Sequence, residues 1–311
     1  MISEKFKLFI KELIGKSIDI SNSVKDVTKD KFYIFSFHEI TDNPSVFQKK
    51  NKLFVSKKVF KNQINFIKKL FTIIEPNKLY YKKNIKNAAL ITFDDGYYDS
   101  FKYGLNILSK LNIYPIFFLN MSAIKYQIPL LPASLEYLEL NYKNFNNYVE
   151  KFKISKPISL NIKPQQFNYF EKYINLKKKK INKYQGKLIN FSFLKSAHKN
   201  KKFYIADHLY EHYNCLALNK KELDMLVNKN NEILKNFGNF IKIFSFPNGV
   251  PKTCFNKENV NWIKKLNYIK AFSNGNKTNV NSKKFLLDRI SLNNEDDTFN
   301  KFLFKIYRAK K

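Results

Sequence analysis

Two adjacent carboxylates, Asp94 and Asp95, end an apolar run, Ala88-Ala89-Leu90-Ile91-Thr92-Phe93, and are followed at once by Gly96. Such a run reads as a buried strand, and a glycine directly after it lets the chain turn sharply, so that both acids project from the strand tip. Neighbouring strand residues point to opposite sides, which predicts different surroundings and different roles for the two acids. Asp-Asp-Gly is also ordinary turn chemistry, so this motif alone leaves a surface turn open. Further along, His208 and His212 stand four apart in Ile205-Ala206-Asp207-His208-Leu209-Tyr210-Glu211-His212. On one turn of helix both imidazoles would project from the same face and reach one cation. Two imidazoles and one carboxylate make a facial ligand set that leaves positions open for water and substrate. The implied chemistry is hydrolysis assisted by a divalent cation, with a second carboxylate free to move a proton.

A third piece, Phe244-Ser245-Phe246-Pro247-Asn248-Gly249, completes an ordered trio. In this order the pieces resemble the polysaccharide deacetylase family (the NodB-homology carbohydrate esterases), where T-F-D-D-G is followed by H-[ST]-x-x-H and then R-x-P-[YF]-G. The resemblance runs from about Lys31 to Leu292, and an ordered trio is far more specific than any single motif. It implies an α/β fold, a distorted (β/α)7 barrel of the polysaccharide deacetylase type with a helical insertion. It also implies a metal held by Asp95, His208 and His212, most simply zinc, with cobalt, nickel or iron compatible with the same geometry. Asp94 would be the general base, taking a proton as water attacks the N-acetyl carbon of an amino sugar, and the backbone N–H of Asn248 would face the oxyanion. The implied substrate is an N-acetylated glycan or a lipid- or nucleotide-linked precursor.

The chain departs from the family pattern at several positions. Ser245 stands where the family has an arginine, so the positive charge that orients the base must come from elsewhere, and Arg289 in Leu286-Leu287-Asp288-Arg289-Ile290-Ser291-Leu292 is the candidate. Asn248 replaces an aromatic residue. No histidine follows His212, so the family's late general acid is missing; His38, at the end of an aromatic-rich strand, is the candidate to protonate the leaving amine, or else a structural histidine fixing its loop. Leu209 replaces a hydroxyl residue that helps order the second motif, a loss for which Glu211 or Asn214 could compensate. These departures keep a second reading open, a catalytically inactive barrel that binds glycan.

The elements that must position these residues follow from periodicity. Residues 31–40 read as the opening strand, and Ser56 caps a helix with Phe60, Ile64, Ile67 and Phe71 on one face. After the two acids, a helix over about 100–110 should bury Tyr103, Ile107 and Leu111, and a strand follows over 114–119. Alternation stops over about 121–202, which reads as an insertion with a helical start, later polar and weakly patterned, capping the sugar site. His198 within it reads as exposed. Alternation resumes with an Asn219/Glu222 capping box, a helix with Leu223, Leu226, Ile233 and Leu234, and a strand over 241–246. A further helix and the strands near 268–272 and 286–292 complete the set of β/α units. Residues 1–30 read as an amphipathic helix and linker, and 31–311 as the barrel.

A chain of 311 residues can bury one large core. The net charge of +32 attracts polyanions. Yet lysine and asparagine are spread evenly beside Ile, Phe and Tyr, without an arginine cluster, which argues against nucleic acid as the partner. Cys215 and Cys254 are too few for a disulfide framework, consistent with a reducing compartment. The N-terminus has charges through every apolar stretch, so it reads as no signal peptide, and the expected location is cytoplasmic. Phe6, Ile10, Leu13 and Ile14 share a helical face flanked by lysines, which fits packing on the barrel or peripheral contact with a membrane.

Overall fold

Strands β1 (Phe32–Phe37) and β5 (Ala88–Phe93) are buried at every residue and pair in parallel at the centre of a sheet, in a computed structural model that describes residues 4–17, 28–81, 84–200 and 202–309. The other named strands are β2 (Glu39–Ile40), β3 (Phe54–Val55), β4 (Thr72–Ile73), β6 (Ile116–Leu119), β7 (Tyr204–Asp207), β8 (Phe240–Ser245), β9 (Lys270–Ser273), β10 (Leu286–Asp288) and β11 (Ile290–Ser291). The order is β10-β9-β8-β7-β6-β5-β1-β11, with every pairing parallel. β10 and β11 are two halves of one stretch interrupted at Arg289, so this stretch pairs with β9 through its first half and with β1 through its second. The sheet thereby returns on itself as the distorted (β/α)7 barrel.

Alternation along each strand sorts two apolar layers. Phe32, Ile34, Leu90, Ile116, Phe118, Ile243 and Phe272 meet one another inside the barrel. Tyr33, Phe35, Ile91, Phe93 and Phe117 meet the covering helices outside, among them Phe60, Ile64 and Ile67 of the helix Lys57–Leu70, capped by Ser56. Strands covered on both faces have no polar side, which is why they read as continuous apolar runs.

The helix after the acids differs from expectation. Its first turn, Ser100–Gly104, is a π-helical turn leading into the helix Leu105–Ser109. The extra residue in that turn rotates the buried face to Phe101 and Leu108, leaving Tyr103, Ile107 and Leu111 only half-buried. The insertion is more regular than its polar sequence suggests: it holds the helices Leu131–Asn141, Lys143–Lys151 and Pro164–Gln185. Leu135, Phe145, Phe170, Ile174 and Ile181 form a core continuous with Leu209, Phe244 and Phe246 of the barrel.

The helix Glu4–Ser17 lies beside the last helix, Phe299–Arg308, with Glu12 accepting hydrogen bonds from Thr298 and Asn300. Residues 18–27 of the expected linker lie outside the described residues, as does the side chain of Phe6. Among the described residues no helix is long and apolar enough to cross a membrane.

Candidate metal centre

The carboxylate pair sits where β5 ends. Asp94 continues the inward side of Leu90 and Thr92, and its N–H donates to the Phe37 carbonyl at 3.0 Å. The chain then reverses, with Asp95 at φ 71° and Gly96 at φ 78°, and the Gly96 N–H closing on the Asp94 carbonyl at 2.9 Å. Gly96 is needed for space as well as for its backbone angle, because a Cβ there would lie 3.0 Å from Ile124 and 3.2 Å from Leu119.

This turn gives the acids separate environments. Asp94 is clamped by Arg289, whose Nη1 and Nη2 each lie 2.7 Å from one carboxylate oxygen. Arg289 is 1% exposed, its guanidinium stacked over Phe118 at 5.3 Å. Burial opposes ionisation of Asp94, but the Arg289 charge and its hydrogen bonds hold its carboxyl below the usual carboxylate range. Asp95 has no such clamp, and its buried Oδ1 has no hydrogen-bond partner. Burial pushes its carboxyl up to about 7, against the pull of His38.

His208 and His212 do not lie on a helix. They occupy an irregular loop after β7, because Leu209 takes φ 67° and breaks any helical path between them. The loop is tied down by Asp207, which accepts from the Leu209 N–H at 2.7 Å, and by the Asn120 amide, which donates to the carbonyls of His208 and Leu209. Asp207 in turn accepts from Asn230 at 2.6 Å and from the Tyr268 hydroxyl. Asp207 therefore does the ordering for which Glu211 or Asn214 was expected; Asn214 instead donates to Leu160 and Thr253. Asp207 could have been noticed in sequence as an acid at the end of an apolar strand, the same signal that marks Asp94.

Despite the different backbone, both imidazoles reach Asp95. His208 Nε2 lies 3.6 Å and His212 Nε2 3.5 Å from Asp95 Oδ1, and one ligand atom from each of the three residues falls within 4.8 Å of the others. His208 Nδ1 lies 2.9 Å from the Ser245 carbonyl, which only accepts, so that nitrogen carries the proton and Nε2 keeps its lone pair. Burial pushes the His208 imidazole down to about 3 and the His212 imidazole down to about 4, so both are neutral, the ligating form. A buried carboxylate oxygen without a partner, facing two neutral imidazoles, fits a divalent cation.

A cavity of about 440 Å³ opens onto this cluster, lined by His38, Asp94, Asp95, His208, His212 and Asn248. Asn248 adopts φ 57°. Arg289 is not on the cavity wall but behind Asp94. Leu135, Glu136, Glu139 and Ile158 of the insertion form part of the wall. Glu136 ties the insertion to the segment before β3 through Asn51 Nδ2 at 3.2 Å and Lys50 Nζ at 3.4 Å. His198, expected to be exposed, is half-buried, with its ring edge-on to Phe237 at 5.2 Å, and it does not line the cavity.

Residues 81–270 match the family model described as polysaccharide deacetylase. No curated protein matches the sequence. Among solved structures the chain is similar to the putative polysaccharide deacetylase BA0330 from Bacillus anthracis, with a TM-score of 0.58, 14% identity, and coverage of 89% of this chain and 69% of that one. It is similar to IcaB from Ammonifex degensii, with a TM-score of 0.58, 12% identity, and coverage of 90% and 98%. It is also similar to a de-N-acetylase from Aggregatibacter actinomycetemcomitans, with a TM-score of 0.55, 12% identity, and coverage of 88% and 98%. At such identities these likenesses speak for the fold.

Proposed function

The chain belongs to the polysaccharide deacetylase family, and from that premise we propose that it is a metal-dependent hydrolase that removes the N-acetyl group from an amino sugar of a polysaccharide or of its lipid- or nucleotide-linked precursor. The observation that carries this reading is the meeting of Asp95, His208 and His212 within ligand reach, beside an Asp94 clamped by Arg289.

Asp95, His208 and His212 would hold the cation. A divalent ion there supplies Lewis acidity, polarising an acyl carbonyl and acidifying water near neutral pH. Asp94, kept ionised by Arg289 and opening onto the cavity, is placed to accept a proton from attacking water. Among the described residues the Asn248 N–H has no acceptor, which suits a donor to the developing oxyanion. His38 lines the same cavity and is the residue we assign to protonating the departing amine. The inactive-barrel alternative rests on the serine at position 245 and on the missing late histidine; the bidentate Arg289 supplies the charge that serine lacks, and His38 is the residue assigned the late histidine's role.

Zinc is the ion we assign. For membrane contact, the face of the first helix that leaves Phe9 56%, Leu13 44% and Ile14 40% exposed would be the docking surface, and sedimentation with anionic vesicles reads it out. The test of the function itself is acetate release from N-acetylglucosamine oligomers by wild type and Asp94→Asn. Release by wild type and its loss in the variant are expected; equal release by both rejects Asp94 as the base.

A further inference from the structure

Asn274, one residue beyond β9, lines the cavity with its side chain already oriented. Its Oδ1 accepts from the hydroxyls of Ser291 at 2.8 Å and Ser36 at 3.2 Å. The amide oxygen is thus engaged from within the barrel, and among the described residues Nδ2 donates to no protein group. Asn248 lines the same cavity, and its Nδ2 is buried without a partner, whereas Asn274 is half-buried.

The two residues are neighbours. The Asn274 N–H donates to the Gly249 carbonyl at 2.6 Å, and a Cβ on Gly249, at φ 70°, would fall 2.8 Å from the Asn274 Cβ. Glycine at 249 is what lets the turn bearing Asn248 lie against Asn274. A buried amide donor without an acceptor carries a desolvation cost that a ligand oxygen would recover.

We propose that Asn248 and Asn274 form a pair of side-chain amide donors that hold hydroxyl oxygens of the sugar ring and so select the hydroxyl pattern of the amino sugar; this rests on reading the cavity as a deacetylase site. A neutral hydroxyl suits the site better than a carboxylate. Lys50 and Lys52, the cations on the wall, are already paired, Lys50 with Glu136 and Lys52 with Glu4 and Glu295. Glu136 and Glu139 on the same wall are likewise paired, with Lys50 and Lys156, so these lysines leave no free positive charge to hold a carboxylate. Sites built to hydrogen-bond a hydroxyl discriminate strongly between sugars that differ in it. Ser36 and Ser291 are positioning residues, acting through the Asn274 amide.

The test uses full-length wild type, Asn274→Ala and Ser291→Ala. Binding of glucosamine, its 4-epimer galactosamine and its 3-epimer allosamine is measured by saturation-transfer NMR, and acetate release from their N-acetyl oligomers gives KM and kcat. Wild type should prefer one epimer. Asn274→Ala should bind that epimer about tenfold more weakly and lose the preference, with the loss falling on KM rather than kcat. Ser291→Ala, which leaves the donor in place but frees its orientation, should fall between. Binding and preference equal to wild type in Asn274→Ala overturn the proposal, as does failure of wild type to bind any of the three sugars. If acetate is released but Asn274→Ala changes nothing, the amide site fails and the deacetylase reading stands. If amino sugars bind through Asn274 without acetate release, the reverse holds.

Discussion

Arg289 grips Asp94 with both terminal nitrogens, each 2.7 Å from a carboxylate oxygen, although the two residues lie 195 positions apart. The arginine comes from the break between β10 and β11, where the sheet returns on itself, so the charge state of Asp94 depends on a residue that the closing stretch delivers. Removing the guanidinium leaves a buried carboxylate unpaired, which costs about 3–5 kcal/mol. Arg289→Met should lower stability by this order in urea melts and lower acetate release at least a hundredfold. Arg289→Lys, which lacks the bidentate fork, should recover only part of either. A variant as stable and active as wild type would remove Arg289 from the site.

Metal content separates the ligand cluster from a mere polar contact. Purified protein should carry about one equivalent of divalent metal per chain by mass spectrometry, and chelation should lower its Tm, because binding only the folded form stabilises it. His212→Ala should lose the metal while keeping the fold, since His212 Nδ1 makes no hydrogen bond that the fold requires. Full metal occupancy in that variant contradicts the assignment.

Asp207 does not itself line the cavity, yet it holds the loop between the two histidines through the Leu209 N–H, Asn230 and Tyr268. Asp207→Asn replaces an acceptor oxygen with a donor in that network. Metal affinity should fall about 10–100-fold, measured by competition with a chromogenic chelator. An unchanged affinity would mean that the loop holds its shape without this acid.

Glu39, buried beside Ser100 and Gln48, gives a pH signature away from the metal cluster. Burial first, and the Asp99 charge second, push its carboxyl up to about 8 from an ordinary value of 4.5. A raised acid contributes stability that is fully present below pH 4.5 and lost as pH climbs through 8. Wild type should therefore lose on the order of a few kcal/mol more than Glu39→Gln between pH 5 and pH 8 in urea melts. Parallel pH profiles for the two proteins would show that Glu39 does not titrate in this range.

Much of the barrel was legible because its strands are buried on both faces and its helices carry one apolar stripe. Residues 88–93, the Ser56 cap and the Asn219/Glu222 capping box appear where their local chemistry puts them. The π turn after Asp99 was not legible, since one additional residue in a turn leaves no compositional trace and shifts every later buried position. The helix Pro164–Gln185 was obscured because its buried residues, Phe170, Ile174, Ile181 and Gln185, are widely spaced among lysines, and its apolar partners lie in other segments.

The sequence by itself determined which residue types are available for chemistry: two acids on a strand tip, two imidazoles four apart, and an arginine late in the chain. Those are local facts, carried by spacing and by the apolar runs that end in them. Only the tertiary structure decided how the groups are shared out. Which carboxylate meets the guanidinium, that the histidines turn on a left-handed Leu209 rather than a helix, and that Asn274 faces the cavity all depend on strands remote in sequence becoming neighbours. Burial then sets each group's charge, because the cost of ionisation depends on what the closed barrel brings within reach, which no stretch of chain carries alone.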